Sequence, residues 1–234
     1  MWFGNSKETL TAREIASWIT ETEDHALTSP EDGFTAYAQS LAEKYDTQGR
    51  PRKFRTSYGN TITLYQGDFV WKLDVEETAA ALRENAQSNT PHFVKPVWSK
   101  EGGSLNQDSD IGDSYIEIDL ENQKVWLYVD GKEILETDCV SGTLGTDRET
   151  PGGVYSIFYM QSPAVLRGAD YASPVDYWMA FHGNIGLHDA DWRTTFGGDI
   201  YRTDGSHGCV NLPIPAAQKM YETVSIGFPV VCYK

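Results

Sequence analysis

The sequence predicts a mostly β domain, of β-sandwich or barrel-like form, that follows a small N-terminal α+β domain. From residue 115 to residue 233 the chain reads as short strands separated by turns, whereas its first part mixes helical stripes with strands. Residues 99–113 are polar, rich in glycine and without periodicity, and they separate the part with mixed helix and strand patterns from the part with strand patterns alone. We therefore predict an α+β domain over residues 1–98, a linker over 99–113 and the β domain over 114–234.

The elements of the first domain follow from local patterns. Apolar side chains recur at helical spacing in residues 8–22 and 33–46, and residues 74–87 begin with the pattern of a capping box. Between the second and third of these helices, residues 61–65 and 69–71 read as short strands.

The β domain is predicted from alternation and turn signals. Residues 115–120 alternate, residues 125–129 form an apolar run, and Asp130-Gly131 after them is a strong hairpin signal. Further strands are predicted at 133–140, 154–160 and 228–233, with one helix at 215–223.

Composition narrows the classes of function. The 234-residue chain has a formal net charge of −15, which disfavours binding to a phosphate backbone, so no nucleic-acid partner is expected. No apolar run reaches the roughly 18 residues of a membrane-spanning helix, and no targeting segment is recognisable at the start.

The three cysteines stand in different surroundings. Cys139 and Cys232 lie in apolar, strand-like contexts typical of buried thiols, and their spacing does not support a disulfide. Cys209 instead lies in residues 206–209, Ser-His-Gly-Cys, among polar residues and glycine. The thiolate is the reactive form of cysteine, so a nearby base is needed to remove the proton.

A cysteine–histidine pair is the predicted reacting unit. Cys209 is the candidate nucleophile, and His188 is the candidate general base, later the acid for the leaving amine. Ser206 is a rival nucleophile, but an alkoxide is much harder to generate than a thiolate. Residues this far apart in sequence can meet through the fold.

The motif resembles that of the YkuD-like catalytic domain of L,D-transpeptidases, enzymes of bacterial cell-wall cross-linking. In that family a His precedes Ser/Thr-His-Gly-Cys, a hydrophobic residue and Asn by some 14–17 residues. Here residues 189–205, 17 in number, separate His188 from residues 206–211, SHGCVN. Residues 150–155, TPGGVY, are similar to the Thr-Pro-x-Gly-x-aromatic turn and strand of the same family. The resemblance covers residues 115–233.

The resemblance and the triad logic together suggest how the pair is supported. The family implies a backbone carbonyl beside the base, and Asp189 can supply either that carbonyl or a carboxylate. The amides of Gly208 and Cys209, together with His207, are candidates for an oxyanion hole. His207 has two open interpretations, a direct role in proton transfer or a structural role in the loop.

Six residues are predicted to bind substrate: Ser206, Asn211, Arg193, Trp192, Tyr201 and Met179. Asn211 is expected to anchor the loop through hydrogen bonds. Trp192 and Tyr201 lie in the polar insertion 189–205, interpreted as a surface loop over the cleft. Arg193 is predicted either to bind a stem-peptide carboxylate or to hold the loop by a salt bridge.

The resemblance implies a complete reaction. Cys209 attacks the amide between an L-centre and a terminal D-alanine of a tetrapeptide stem, and D-alanine leaves. A side-chain amine of an acceptor stem then takes the acyl group. Carbapenems are expected to acylate Cys209, and neither a cofactor nor a metal is expected.

The resemblance also bears on the rest of the chain. Residues 58–82 resemble the peptidoglycan-binding module that precedes this domain in some Gram-positive members. An enzyme of this kind acts on the wall face of the membrane, so we expect the chain to be the outer part of an anchored protein.

Three alternatives stay open at this point. Water can replace the acceptor amine, which would make the enzyme an L,D-carboxypeptidase. A zinc site is a second alternative, because the side chains of His182, His188, His207 and Cys209 are of types that bind zinc, although their spacing matches no known zinc motif. The chain can also be a wall-binding protein without catalytic activity.

Overall fold

A computed structural model describes most of the chain, namely residues 1–28, 30–88, 90, 93–105, 110–168 and 172–234. The strands lie at Trp2–Phe3 (β1), Ser6–Lys7 (β2), Arg52–Arg55 (β3), Thr61–Leu64 (β4), Lys72–Leu73 (β5), Trp98–Lys100 (β6), Tyr115–Asp119 (β7), Lys124–Val129 (β8), Lys132–Asp138 (β9), Gly153–Ser156 (β10), Tyr159–Gln161 (β11), Ala164–Arg167 (β12), Ala172–Val175 (β13), Trp178–His182 (β14), Ile185–Asp189 (β15), Val210–Leu212 (β16) and Pro229–Tyr233 (β17). The helices lie at Ala12–Ser17 (α1), Glu31–Tyr45 (α2), Val75–Gln87 (α3), Ile200–Asp204 (α4) and Ile214–Thr223 (α5). No helix in these described ranges combines the length and the apolar character that a membrane span requires.

Two compact units make up the chain, and their bounds differ from those predicted. One unit holds residues 1–50 and 70–110, and the other holds residues 51–69 and 111–234. Residues 51–69, which the predicted first domain included, thus belong to the second unit.

The reason is packing that no local pattern reveals. Phe54 and Leu64 of the β3–β4 hairpin are buried in one cluster with Val154 and Val231. Ser57 donates to the buried carboxylate of Glu117, which its backbone N–H also contacts at 2.8 Å.

The first unit is built on helices α2 and α3. Their facing side chains Phe34, Ala38, Ala79 and Leu82 form a small core. The N-cap hydrogen bond of the capping box predicted at the start of the third helix is present, because the Asp74 carboxylate accepts from the N–H of Glu77 at 3.0 Å.

The start of the predicted linker 99–113 belongs to a strand. Strand β6 extends to Lys100 and pairs with β5 in the antiparallel sense. Residues 106–109 of the linker lie outside the described residues.

The second unit contains the two sheets of the predicted β domain. Five strands follow the order β10-β17-β7-β8-β9, and four follow the order β11-β14-β15-β16. Most neighbours are antiparallel, but β17 pairs with β7, and β15 with β16, in the parallel sense. The inner faces of both sheets and helix α5 bury one continuous core, which includes Ile116 and Leu127 from one sheet, Met179 and Leu187 from the other, and Met220.

The opposite face of the four-stranded sheet carries a different set of side chains. Side chains alternate along a strand, so Trp178 and Ala180 of β14 point away from the core that Met179 enters. Trp178 and Ala180 pack instead against the β12–β13 hairpin, through Ala164 and Val175. This hairpin, which the sequence analysis did not predict, covers the face of the sheet on which the candidate site lies.

Candidate active site

Strand pairing brings the predicted base next to the predicted anchor residue. In the register of β14, β15 and β16, Trp178 is opposite His188 and His188 is opposite Asn211. Neighbours in register share a face of the sheet, so these three side chains form a row under the hairpin. The His188 ring lies 5.9 Å from the ring of Trp178 and 5.9 Å from that of Trp192.

His188 is fixed by hydrogen bonds at both ring nitrogens. Nδ1 lies 2.7 Å from the carbonyl oxygen of Asp189, and a carbonyl only accepts, so Nδ1 carries the proton. Nε2 lies 3.0 Å from Nδ2 of Asn211 and therefore holds the lone pair of the neutral ring. Burial lowers the pKa of His188 below its ordinary value, which the carbonyl of Asp189 partly opposes. The imidazole is thus kept neutral, as a base must be.

This geometry answers the question that the sequence left open for Asp189. Its carbonyl, and not its carboxylate, orients the base. The carboxylate instead accepts from the N–H groups of Asp176 at 3.1 Å and Tyr177 at 2.7 Å. It therefore fixes the chain between β13 and β14.

Cys209, the predicted nucleophile, follows a tight turn that hydrogen bonds hold from several sides. Gly208 has φ +116°, a conformation that favours glycine, and its N–H donates to Oγ of Ser206 at 3.0 Å. The Ser206 hydroxyl in turn donates to the carbonyl of Cys209. Buried Thr150 donates to the carbonyl of Gly208 at 2.6 Å and accepts from the N–H of Gly142 at 2.9 Å.

Two expectations for this turn need correction. The Gly208 N–H is engaged with Ser206, because the turn itself uses that donor, so in this conformation it does not face a reacting oxygen. The hydroxyl of Ser206 is likewise engaged in the turn, although Ser206 also lines the cavity beside the base.

The Cys209 thiol contacts the turn between β14 and β15. Sγ lies 3.6 Å from the carbonyl oxygen of Asn184, to which the thiol donates. Burial raises the pKa of Cys209 to about 11, while a hydrogen bond from the backbone of Gly186 opposes this rise. The free thiol is therefore protonated at neutral pH, and a base is needed to form the thiolate.

Cys209 lies between two cavities. The first, the imidazole-side cavity, has a volume of about 260 Å³ and is lined by His188, Trp192, His207 and Cys209 among others. The second, the aromatic cavity, has a volume of about 300 Å³ and is lined by Phe158, Tyr159, Trp178, Asn184 and Cys209 among others. Leu166 of β12 lines both cavities, so the hairpin strand stands between them.

Arg193 holds the loop, which was one of its two predicted roles. Its Nε donates to Oδ1 of Asn211 at 2.9 Å, and its terminal nitrogens contact the carboxylate and the carbonyl of Asp204 at 3.1 and 2.8 Å. Because Oδ1 of Asn211 accepts from Arg193, the amide nitrogen of Asn211 faces His188. Arg193 thus acts on the base through Asn211.

The remaining predicted residues divide into exposed and buried ones. Trp192 is half-exposed, His207 is exposed, and both line the imidazole-side cavity. Met179 is fully buried in the core, because it lies on the inner face of β14, so its predicted substrate contact is wrong. Tyr201 is buried in α4, where its carbonyl accepts from Leu144 at 3.1 Å, and it lines neither cavity.

Sequence reasoning missed several residues that position or line the site. Thr150 was noticed only as part of a turn motif, although a hydroxyl next to Pro-Gly-Gly signals a special backbone. Asn184, which follows Gly183 in a hairpin turn, had a turn signal but no functional one. Leu166 and Arg167 had no signal, because only the folded hairpin brings them to Cys209. Within the described ranges, no three His, Cys, Asp or Glu side chains are grouped to hold a metal ion.

The comparison with known families now gives the class of this protein. Residues 113–232 match the profile of YkuD, the L,D-transpeptidase catalytic domain. This match covers just over half of the chain, so the protein belongs to the YkuD family of L,D-transpeptidases. It is a cysteine-dependent acyltransferase, and the family, fold class and enzyme class predicted from the sequence are confirmed.

Solved structures resemble nearly the whole chain. A cysteine-to-serine mutant of the Enterococcus faecium L,D-transpeptidase is 30% identical, with 99% of this chain and 93% of that chain covered and a TM-score of 0.79. The Ldtfm–avibactam carbamoyl enzyme is 31% identical, with 99% and 92% covered and a TM-score of 0.80. The E. faecium catalytic domain acylated by ertapenem is 43% identical over 52% of this chain and 98% of that chain, with a TM-score of 0.48. The comparison with curated proteins gave no match.

Proposed function

We propose that this L,D-transpeptidase cross-links peptidoglycan through an acyl-enzyme on Cys209. The observation that carries the proposal is the position of Cys209 between two cavities, only one of which is lined by the neutral His188. A transferase needs such an arrangement, because one substrate part must stay bound while another is exchanged.

The first half-reaction forms a thioester. Nε2 of His188 gives up its contact with Asn211 and accepts the thiol proton, and the Cys209 sulfur attacks the carbonyl carbon of the L-centre in a tetrapeptide stem. His188 then returns that proton to the departing amine, so the amide bond breaks and D-alanine leaves. No charge or proton is left over on the enzyme.

The second half-reaction reverses these proton movements. An acceptor side-chain amine attacks the thioester carbon, and His188 takes its proton while the sulfur is expelled as thiolate. The sulfur regains the proton, and a new amide joins the two stems.

These proton movements assign the two cavities. The leaving amine and the acceptor amine both exchange a proton with His188, so both occupy the imidazole-side cavity in turn. The acyl part of the donor, which stays attached to the sulfur, then extends into the aromatic cavity. D-Alanine must leave before the acceptor enters, which predicts ping-pong kinetics.

Intact-mass measurement tests the nucleophile. The parent and Cys209→Ala are incubated with a tetrapeptide stem and, separately, with a carbapenem. We expect a covalent adduct on the parent alone, and an adduct on both proteins, or on neither, contradicts the proposal. The E. faecium catalytic domain acylated by ertapenem, a carbapenem, supports the carbapenem arm. Product analysis then separates cross-linked dimer from the hydrolysed tripeptide that a carboxypeptidase would release.

We also propose that the first unit binds the wall, which would place the enzyme on the wall face of the membrane. A cavity of about 430 Å³ in this unit is lined by Trp2 and Phe93, whose half-exposed rings are suited to stacking on sugars. The test is co-sedimentation of the full chain with sacculi. A Trp2→Ala, Phe93→Ala double variant should lose sedimentation and keep its rate of carbapenem acylation, and unchanged sedimentation would refute the assignment.

A further inference from the structure

The aromatic cavity contains a cation that the reaction so far does not use. Arg167, the last residue of β12, lines this cavity together with Cys209. Among the described residues that line it, Arg167 alone carries a charge, and the others include Phe158, Tyr159 and Trp178.

The guanidinium of Arg167 is available to a ligand. The side chain is exposed, and in the described part of the chain it forms no ion pair with a carboxylate. Arg193, by contrast, is engaged with Asn211 and Asp204. The net charge of the chain is −15, so the cavity that Arg167 shares with Cys209 carries a positive charge in a protein that otherwise repels anions.

The part of the donor that reaches this cavity determines what Arg167 can meet. Under the proposed function, D-alanine and its terminal carboxylate leave through the imidazole-side cavity. The acyl part occupies the aromatic cavity, and the anionic group that a peptide can present there is a carboxylate. A guanidinium matches a carboxylate with two parallel hydrogen bonds, which gives geometric selectivity as well as attraction.

We propose that Arg167 binds a carboxylate on the acyl part of the donor, on the residue that precedes the L-centre. Arg167 is then a specificity-determining residue that distinguishes a donor with a free carboxylate from one with a carboxamide. The inference rests on the proposed function, because it takes the aromatic cavity to hold the acyl part.

Two synthetic tetrapeptide donors test this inference. They are identical except that the residue before the L-centre carries either a carboxylate or a carboxamide. For the parent we expect kcat/KM to be about tenfold higher with the carboxylate donor, because the carboxamide donor lacks one exposed, charge-assisted contact with Arg167. The difference should lie in KM, since the contact is present before and during the reaction.

Two variants of Arg167 and one control variant test whether the preference for the carboxylate donor depends on Arg167. Arg167→Gln should reduce the preference to near one by weakening the carboxylate donor alone, and Arg167→Lys should keep an intermediate preference. The matched control is Lys132→Gln, which removes one exposed positive charge on β9 from a position that lines neither cavity. This control should retain the parental preference. An unchanged midpoint of thermal unfolding would show that each variant is folded.

Each outcome decides a different question. A parental preference that disappears in Arg167→Gln supports the assignment. Equal use of both donors by the parent, or an unchanged preference in Arg167→Gln, overturns the assignment and leaves the proposed function intact, because the acyl-enzyme still forms. Absence of any acyl-enzyme with either donor overturns the proposed function and the role of Arg167 with it.

Discussion

The predicted base and the predicted nucleophile of this site are held in contrasting ways. His188 belongs to a strand, is 3% exposed, and has both ring nitrogens in hydrogen bonds, to the Asp189 carbonyl and to Asn211. Cys209 follows a turn whose backbone is held by Ser206, while its thiol has a long contact to a carbonyl at 3.6 Å.

This difference means that the orientation of His188 is set before the reaction, whereas the reactive form of Cys209 arises only during it. The imidazole is oriented and neutral, and its Nε2 must exchange the contact with Asn211 for the proton that it accepts. The thiol is desolvated and protonated, with its pKa raised to about 11, so it acquires charge only when the base removes the proton. The resting enzyme therefore does not carry a permanently reactive thiolate. The following variants test this contrast, in order of decreasing effect.

Removing the base should have the largest effect. We expect His188→Ala to lower the rate of acylation by a tetrapeptide donor by about 10²–10⁴-fold, because the thiol then loses its proton acceptor. In the parent the imidazole must be neutral, and burial lowers its pKa, so activity should fall only as pH drops below the ordinary range of histidine. Pre-steady-state acylation rates from pH 5 to pH 9 measure both effects.

His188→Ala should also lose the acid limb of this profile. Its rate should instead rise with pH as the thiol ionises directly. A variant that reacts as fast as the parent at neutral pH would show that the strand-held imidazole is not the base.

Removing the second support of the base should have an intermediate effect. Asn211→Ala leaves Nε2 of His188 without its neighbour and Arg193 without its acceptor. Partners that orient metal-ligating histidines are typically worth about 10–100-fold, and by analogy we expect a loss of that size in kcat, with the acid limb displaced. The measurement is the pH profile of acylation. A faster variant would mean that Asn211 masks the base, and would reverse the interpretation of the contrast.

Removing the Thr150 hydroxyl that holds the turn should have the smallest effect on the rate of acylation, but a clear effect on the free energy of unfolding. Thr150→Val retains the shape of the side chain but leaves the Gly208 carbonyl and the Gly142 N–H without their partner in a buried place. We expect the free energy of unfolding in urea to fall by about 1–3 kcal/mol. Thr150→Ser should recover most of this loss because it restores the hydroxyl. Equal stability of the Val variant and the parent would show that the turn does not depend on Thr150.

Local features of the backbone could be predicted from the sequence to a greater extent than the arrangement of the candidate site. Helix α3 begins after Asp74, as its capping pattern predicts, because capping depends on residues three positions apart. The hairpin at Asp130-Gly131 is likewise local, and it joins β8 to β9. The unit boundary was misplaced because Phe54 and Leu64 are buried against strands far along the chain.

The predicted substrate contacts show the same limit. Met179 and Trp178 are adjacent, and alternation places one in the core and the other under the hairpin. Nothing in either residue type tells which face points inward. Tyr201 was predicted in an exposed loop, but helix α4 forms within that loop and buries it.

By itself the sequence determined the family and predicted the reacting groups, because both depend on residue types at short, fixed spacings such as those of residues 206–211. Only the tertiary structure decided which nitrogen of His188 carries the proton, that Arg193 acts through Asn211, and that Cys209 opens on two cavities. These properties depend on hydrogen bonds and packing between segments far apart in the chain, and strand register and alternation bring those segments together.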